Sequence, residues 1–203
     1  MALKGYFTKG IVEAGCDEAG RGSLAGRVYA AAVVLPPGWN HPWLNDSKQI
    51  TETRRMVLRQ HIEQDAIDWA VAWCEPEEID RFNILQASIL AMHKAIANLK
   101  QTPEALLIDG NRFRPFLGIP HNCIIRGDSL YRSIAAASIL AKTWRDDYMT
   151  ELHQQFPEYG WLENKGYPTR HHRDAVARLG ASPFHRVSFR VDGCPIGTMQ
   201  HSV

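Results

Sequence analysis

The fold is decided by residues 11–35, which read IVEAGCDEAGRGSLAGRVYAAAVVL. Residues 11–16 predict a short strand that ends at the acidic pair Asp17 and Glu18. A turn with three glycines follows, and residues 28–35 form a continuous apolar run that predicts a second strand. Because a short turn joins them, we expect the two strands to pair antiparallel.

Working outward from this stretch, strands alternate with helices along the rest of the chain. Such an order is typical of an α/β protein whose mixed sheet carries helices on both faces, with a helical C-terminal extension packed against it. The predicted elements are helices at 51–66, 76–99, 133–156 and 169–179, and strands at 68–74, 105–108 and 122–125.

Composition excludes several classes of protein. The chain has 203 residues, 45% apolar and 22% charged, which suits a single globular domain over 1–203. No apolar run reaches the roughly 18 residues of a membrane-spanning helix, and residues 1–10 lack a secretory pattern, so we expect a cytoplasmic protein. The four cysteines are far apart and three of them sit inside apolar runs, which favours free, buried thiols over disulfides or a zinc cluster.

The net charge is only +1, but one segment is strongly basic. Residues 160–190 carry Lys165, Arg170, Arg173, Arg178, Arg186 and Arg190, opposed by Glu163 and Asp174 alone. Such a segment can follow a phosphate backbone, and it can equally be a solvated helix face. The adjacent His171 and His172 are interpreted as exposed or phosphate-facing.

Acidic residues sit repeatedly at the ends of apolar strands. They are Asp17, Glu18, Asp109 and Asp128. Strand ends in α/β folds form sites, and several converging carboxylates repel one another unless a cation lies among them. Oxygen ligands suit Mg²⁺ or Mn²⁺, and two such ions can clamp the attacking and leaving oxygens of a phosphodiester.

A second interpretation exists for each acid, because a lone Asp after a strand is often only a helix cap or a turn residue. The adjacent pair Asp17 and Glu18 beside a glycine-rich turn has no evident capping role, so the four together favour a metal site. Gly20, Arg21 and Gly22 form either a plain tight turn or a backbone cradle for a sugar-phosphate, with Arg21 on a phosphate. The sequence has no G-x-S-x-G motif and no H-E-x-x-H motif.

At this point the chain resembles a known family, the type 2 ribonucleases H and specifically bacterial ribonuclease HII. The resemblance covers residues 13–189 and rests on seven blocks in order: GCDEAGRGSLAG at 15–26, NDSK at 45–48, LIDGN at 107–111, GDS at 127–129, IAAASILAK at 134–142, KGYPT at 165–169 and HRVSF at 185–189. Departures from the usual pattern are Ser23, residues 130–132 and residues 143–144, and none of them removes an acidic residue.

The resemblance implies an RNase H-like mixed sheet flanked by helices, with a substrate-binding extension at about 160–190. It implies hydrolysis of RNA paired with DNA and incision 5′ to a single ribonucleotide in duplex DNA, leaving 3′-hydroxyl and 5′-phosphate ends. One ion on Asp17, Asp109 and Asp128 would activate water, and another on Asp17 and Glu18 would stabilise the leaving oxygen.

The resemblance also assigns the substrate contacts. The backbone of Gly20, Arg21 and Gly22 would read the ribose 2′-hydroxyl, the group that separates RNA from DNA. Tyr167 would stack on the sugar after the ribonucleotide, although without the resemblance it is a packed loop aromatic. Ser47, Lys48 and Lys142 are candidate phosphate contacts, with a helix cap and surface lysines as the alternatives.

The expected partners are RNA/DNA hybrid duplex and ribonucleotide-containing DNA, with no membrane and, for want of a recognisable peptide in residues 192–203, no sliding clamp. A monomer is the default expectation. Two rival functions share some of these features: another metal nuclease without ribose reading, and a non-catalytic nucleic-acid-binding module whose acids only cap elements. The metal used in the cell, and the preference between long hybrids and single ribonucleotides, are not encoded in any motif.

Overall fold

The computed structural model describes residues 3–44 and 50–198. Five strands form one sheet in the order β3-β2-β1-β4-β5. Strand β2 is antiparallel to both of its neighbours, β1 and β3, whereas β1, β4 and β5 are parallel. Their bounds are β1 Glu13–Ala19, β2 Val28–Val34, β3 Asp68–Cys74, β4 Ala105–Asp109 and β5 His121–Ile124. This arrangement confirms the predicted mixed sheet.

Helices cover both faces of the sheet, as predicted, and a separate core lies on each face. The helices are α1 Glu52–Asp65, α2 Pro76–Phe82, α3 Ile84–Ala97, α4 Arg132–Gln155, α5 Trp161–Asn164 and α6 Arg170–Leu179. The α3 face packs on alternate residues of β1 and β2, and the α4 face packs on the residues between them. Since successive strand residues point to opposite faces, every residue of β2 is buried.

Small residues bring α4 unusually close to the sheet. A Cβ atom added to Gly15 on β1 would lie 2.2 Å from the Ser133 carbonyl carbon on α4. The helix contributes Ala135, Ala136 and Ala137 to the same contact, all fully buried. The close approach of α4 to β1 places the later turns of α4 directly behind the residues that follow Gly15.

Two predicted boundaries were wrong for physical reasons. The single helix expected at 76–99 is two helices, because Asn83 has a φ of 64° and caps α3 with its side chain. Strand β1 runs to Ala19, so Asp17 and Glu18 are among its last three residues and do not follow it. Antiparallel pairing of Asp17 and Glu18 with β2 extends the strand past the last apolar residue.

The cysteine expectation holds for two positions and fails for two. All four thiols are free; Cys16 and Cys74 are buried, whereas Cys123 and Cys194 are exposed. Cys123 lies on β5, which is the edge strand of the sheet, so one side of it has no neighbour. An apolar run was therefore not sufficient evidence of burial.

The C-terminal extension is mostly helical, as predicted, and ends in a two-stranded ladder of β6 Arg190–Val191 and β7 Cys194–Pro195. It shares a third core with the end of α4 and with Leu24, Ala25 and Tyr29 near the glycine turn. In the described part of the chain, no helix is both long and apolar enough to cross a lipid bilayer.

Candidate active site

Three neighbouring parallel strands carry acidic residues to one edge of the sheet. The register pairs Cys16 of β1 with Ile108 of β4. The next residue on each strand, Asp17 and Asp109, therefore lies beside the other near the carboxyl ends of the two strands. Asp109 in turn pairs with Ile124 of β5, and Asp128 lies just beyond β5 in the 3-10 helix Gly127–Ser129. The carboxyl ends of these strands therefore collect three aspartates, as the sequence predicted.

Asp17 is almost completely buried, with 6% of its surface exposed. Its carboxylate accepts a hydrogen bond from the Glu18 amide at 2.7 Å and another from the Ser138 hydroxyl on α4. Burial raises the pKa of Asp17 well above its ordinary value, and the nearby charges of Glu18 and Asp109 raise it further. A cation beside Asp17 would relieve this electrostatic penalty.

Glu18 points to the opposite face of β1 from Asp17, because the pleat alternates. It lines a cleft of about 220 Å³ together with Asp109, Asn111 and Arg112. The Arg21 guanidinium forms an ion pair with Glu18 at 3.0 Å. Burial nevertheless raises the pKa of Glu18, against the opposing effect of Arg21.

Asp109, at the end of β4, contacts the loop that follows β5. Its Oδ1 atom accepts a hydrogen bond from the Gly127 amide at 2.7 Å, and Gly127 precedes Asp128 directly. A Cβ on Gly127 would lie 2.5 Å from the Ile134 side chain, so the backbone packs tightly here. Asp128 itself is 6% exposed. The bond from Gly127 ties the backbone that precedes Asp128 to Asp109.

The donor chemistry of this edge suits a hard divalent cation, since all four candidate ligands are carboxylates. In the part of the chain that the structure describes, no three histidine, cysteine or acidic side chains are already arranged to hold a metal ion. The carboxylates are turned toward protein donors: Asp17 toward Ser138, Glu18 toward Arg21 and Asp109 toward the Gly127 amide. A bound cation would have to replace the Arg21 contact.

The glycine turn requires glycine at two positions for different reasons. Gly20 has a φ of +95°, and a Cβ there would lie 2.1 Å from the Arg145 Nε atom. Gly22 has no such clash, because its nearest neighbour would be the Tyr167 ring at 3.8 Å. Gly20 is thus required by the fold, whereas a methyl group at Gly22 would meet the Tyr167 ring only at ordinary contact distance.

Two buried arginines hold this turn from behind, and sequence reasoning missed that role for both. Arg186 donates to the carbonyl oxygens of Arg21, Ser23, Gly26 and Arg27 at 2.7–3.2 Å. Arg145 of α4 donates to the carbonyls of Ala25 and Arg27. Because the carbonyls are engaged on the inner side, amide groups of the turn are left for the outer side.

Both guanidinium groups are fully buried, and among residues 3–44 and 50–198 neither forms an ion pair. Burial, together with the charge of Arg145, lowers the pKa of Arg186 to about 9. Burial also lowers the pKa of Arg145. The sequence left Arg186 on a basic segment that either follows phosphates or is a solvated helix face. Both interpretations are wrong for Arg186, because its side chain is buried and donates to the carbonyls of the turn.

The remaining predicted contacts differ in accessibility. Tyr167 is 37% exposed, faces Gly22 and has the Arg145 guanidinium 5.5 Å from its ring centre. Lys142 lies on α4 one turn beyond Ser138 and forms an ion pair with Asp146, so it is only partly free to meet a phosphate. Arg21 is about half exposed. Ser47 and Lys48 lie outside the described residues.

The prediction that both His171 and His172 are exposed or phosphate-facing was wrong for His172. His171 is exposed, but His172 and His185 are buried and bonded to each other, with 0% and 2% of their surface accessible. The sequence signal that could have separated them is helical spacing: His172 shares a face with Ala175 and Val176, which are also buried.

Comparison with known proteins agrees with this geometry. A family model described as Ribonuclease HII matches residues 14–191. Ribonuclease HII of Bacteroides fragilis (strain ATCC 25285) is 58% identical over 188 residues, which is 93% of this chain and 94% of that protein. Ribonuclease HII of Porphyromonas gingivalis (strain ATCC BAA-308 / W83) is 59% identical over 190 residues, covering 94% of each.

Solved structures share the fold at lower identity. Ribonuclease H2 from Pyrococcus horikoshii OT3 superposes with a TM-score of 0.77 at 23% identity, covering 88% of this chain and 93% of that one. RNase HII from Archaeoglobus fulgidus, solved in a PCNA:RNase HII complex, gives 0.69 at 24% identity over 82% and 87%. Bst-RNase HIII in complex with Mn²⁺ gives 0.64 at 21% identity over 82% and 61%.

The chain therefore has an RNase H-like fold, the fold of these solved structures. Within that fold class, the matching family model and the identity to its relatives show that the chain belongs to the ribonuclease HII family. It is a hydrolase of the ribonuclease H type, and its family supports endoribonuclease activity on RNA/DNA hybrids.

Proposed function

We propose that the chain hydrolyses the RNA strand of RNA/DNA hybrids and also incises duplex DNA on the 5′ side of a single embedded ribonucleotide. The products would carry 3′-hydroxyl and 5′-phosphate ends. The observation that carries the proposal is that Asp17, Asp109 and Asp128 lie at or just beyond the carboxyl ends of three neighbouring parallel strands, next to a glycine turn that is braced from behind.

Asp17, Glu18, Asp109 and Asp128 are the residues that would hold two divalent ions, Mg²⁺ or Mn²⁺. When bound, such ions supply activation of the attacking water and stabilisation of the leaving 3′-oxygen. The chain's own contribution is to keep these carboxylates together: Ser138 and the Gly127 amide orient Asp17 and Asp109. Arg21, released from Glu18, would be free to meet a phosphate.

The glycine turn would read the ribose. Its carbonyls are held inward by Arg145 and Arg186, so the amides of Gly20, Arg21 and Gly22 can face a 2′-hydroxyl. Gly22 presents no side chain, which lets the sugar approach the backbone closely. Such positioning supplies up to roughly 7–11 kcal/mol of barrier reduction in favourable cases.

The extension at about 160–190 would bind the DNA that flanks the ribonucleotide. Tyr167 stands opposite Gly22 and would stack on the following sugar, where a deoxyribose is favoured. Arg170 and Arg173 on α6 have exposed side chains suited to phosphates, at 90% and 42%. Lys142, together with Ser47 and Lys48, is the remaining candidate for phosphate contact. Binding through phosphates would be steeply salt-dependent.

The partners follow from the substrate: hybrid duplex and ribonucleotide-containing DNA, in the cytoplasm, with the chain acting as a monomer. Residues 192–203 do not suggest that the chain binds a sliding clamp. The Archaeoglobus fulgidus structure contains PCNA, so clamp binding is a separate property to test. Pull-down with a sliding clamp would decide it.

The test is incision of a labelled DNA duplex that contains one ribonucleotide, with Mg²⁺, Mn²⁺ or EDTA, by wild type and by Asp109→Asn. We expect metal-dependent cutting on the 5′ side of the ribonucleotide, absent in the variant and absent on all-DNA duplex. Cutting of the all-DNA duplex would show that the chain is a metal nuclease that does not recognise the ribose. Binding of duplex without any cutting would leave a binding module and overturn the proposal.

A further inference from the structure

A chain of buried hydrogen bonds runs through the C-terminal extension and ends on the backbone of Tyr167. The Trp161 indole Nε1 donates to His172 Nε2 at 3.0 Å, and His185 Nε2 lies 3.0 Å from the same atom. At one end, the Ser182 amide donates to His185 Nδ1 at 2.9 Å. At the other end, His172 Nδ1 lies 3.0 Å from the Tyr167 carbonyl oxygen.

Two groups that can only donate, the Ser182 amide and the Trp161 indole, fix the tautomers of the two imidazoles. The Ser182 amide can only donate, so His185 Nδ1 carries a lone pair and its proton sits on Nε2. The Trp161 indole can also only donate, so His172 Nε2 carries the lone pair that both Trp161 and His185 share. The proton of His172 therefore sits on Nδ1 and is donated to Tyr167.

Burial and mutual proximity keep both rings neutral, which this bonding requires. Burial lowers the pKa of His172 below its ordinary value. Burial and the neighbouring His172 lower the pKa of His185 to about 3. A charged imidazole would turn one acceptor nitrogen into a donor and break the chain of bonds at Ser182 or at Trp161.

The end of this chain lies at the functional edge of the extension. The Tyr167 amide donates to the Asn164 carbonyl, and the Tyr167 carbonyl also accepts from the Thr169 amide, both at 2.8 Å. The segment Gly166–Tyr167 is additionally tied to the glycine turn by the Leu24 amide, which donates to the Gly166 carbonyl at 2.8 Å. The backbone that carries the Tyr167 ring is thus held at both of its polar groups, and its ring is left 37% exposed.

We propose that His172 is a positioning residue for Tyr167, which sets the ring opposite Gly22 and thereby contributes to the choice between deoxyribose and ribose after the cleaved position. This deepens the proposed function and rests on it. His172 touches no substrate; it acts through the carbonyl of Tyr167, while His185 and Trp161 hold the proton of His172 on the required nitrogen.

The kinetic test uses one ratio: kcat/KM on a DNA duplex with a single ribonucleotide, divided by kcat/KM on a hybrid with a continuous RNA strand. His172→Phe fills the site but lacks the donor, and we expect it to lower the ratio roughly 3- to 10-fold, the worth of one hydrogen bond. His172→Asn retains an N–H near the position of Nδ1 and is expected to restore most of the ratio. His61→Phe, on the exposed face of α1, is the control.

The same assay in a Tyr167→Ala background separates positioning from general packing. If His172 acts through Tyr167, His172→Phe changes the ratio no further once the ring is gone. An equal loss on both substrates, or a full additional loss in the double variant, would overturn the inference and leave His172 a core residue. If Tyr167→Ala alone leaves the ratio unchanged, the role of Tyr167 in the proposed function fails first, and the positioning role of His172 fails with it.

A measurement on the unmodified protein decides the bonding even if a variant fails to fold. Imidazole ¹⁵N spectra between pH 5.5 and 8 are expected to show His172 as the Nδ1–H tautomer and His185 as the Nε2–H tautomer, both unchanged across the range. A His172 signal of the Nε2–H form, or one that titrates near 6.5, would remove the bond to Tyr167 and overturn the inference.

Discussion

The acidic edge of the sheet collects negative charge, whereas the layer beneath the glycine turn collects positive charge. At the edge, Asp17 and Glu18 are close together and their pKa values are raised by burial and by neighbouring carboxylates. Beneath the turn, Arg145 and Arg186 are fully buried and donate to backbone carbonyls instead of carboxylates, and only Nη1 of Arg145 has no hydrogen-bond partner among the described residues. The first arrangement calls for a cation from outside, whereas the second is held by contacts within the protein.

The two regions differ in role: the acidic edge is proposed to carry the reaction, and the arginines beneath the turn support the backbone. Residues that must meet a metal or a substrate keep part of their electrostatic demand unmet, which stores an unfavourable free energy at the edge. Residues that hold the turn donate to carbonyl groups of the chain itself, so the turn is braced before any substrate binds. Changes at the edge should therefore affect catalysis and even stabilise the fold, whereas changes beneath the turn should destabilise it.

The largest effect is expected for Asp17→Asn. Activity should fall roughly a thousandfold or more, because the ions held there supply several kcal/mol of transition-state stabilisation. Because the pKa of Asp17 is raised in the folded protein, its ionised carboxylate opposes folding. In EDTA at pH 8, the free energy of unfolding of the variant should therefore be about 0.5–2 kcal/mol higher than that of wild type. Urea unfolding measures this; a less stable variant would contradict the account of the edge.

Gly22→Ala and Gly20→Ala form a matched pair with the next largest effect. At Gly22 a methyl group has room, so the variant should fold normally while losing about 100-fold in kcat/KM, because the ribose can no longer approach the backbone. At Gly20 the methyl group would meet Arg145, and the positive φ is also unfavourable, so thermal stability should fall. Equal stability losses in both variants would show that the two glycines do not differ as described.

Arg186→Lys tests the layer beneath the turn. Lysine keeps the charge but cannot span four carbonyl oxygens, so we expect a loss of about 2 kcal/mol in the free energy of unfolding. Arg173→Lys on the exposed side of α6 should stay within about 0.5 kcal/mol of wild type. Chemical denaturation measures both, and an unchanged Arg186→Lys would mean that the carbonyl contacts do not hold the turn.

Much of this division could be predicted from the sequence, but only on one side of it. The acids follow local rules, because each comes at the end of an apolar strand and parallel strands meet at one edge. The bracing arginines do not: Arg186 contacts the Arg21 and Ser23 carbonyls across more than 160 positions of sequence, and a basic residue among other basic residues gives no local sign of burial.

Smaller errors have the same origin. The break at Asn83 depends on a positive φ that the apolar stripe on both sides conceals, and the burial of His172 depends on its partners Trp161 and His185. The order of strands and helices, by contrast, was sufficient to predict the mixed sheet with helices on both faces.

The smallest expected effect is on pH dependence. His185 has a pKa lowered from 6.5 to about 3, so the stability that it contributes is present above pH 6.5 and is lost as the pH falls toward 3. Between pH 6.5 and pH 5.5 we expect wild type to lose about 1 kcal/mol from this group. His185→Asn should flatten that slope in unfolding measured across the same range; an unaltered slope would assign the loss elsewhere.

The most direct test of the separation between edge and turn is calorimetric titration of Mn²⁺ into the substrate-free protein. We predict that Asp17→Asn and Asp109→Asn bind Mn²⁺ at least roughly tenfold more weakly than wild type, whereas Gly22→Ala binds as wild type does although it cleaves poorly. Unchanged binding by the two aspartate variants, or weakened binding by Gly22→Ala, would contradict the placement of the metal at the acidic edge.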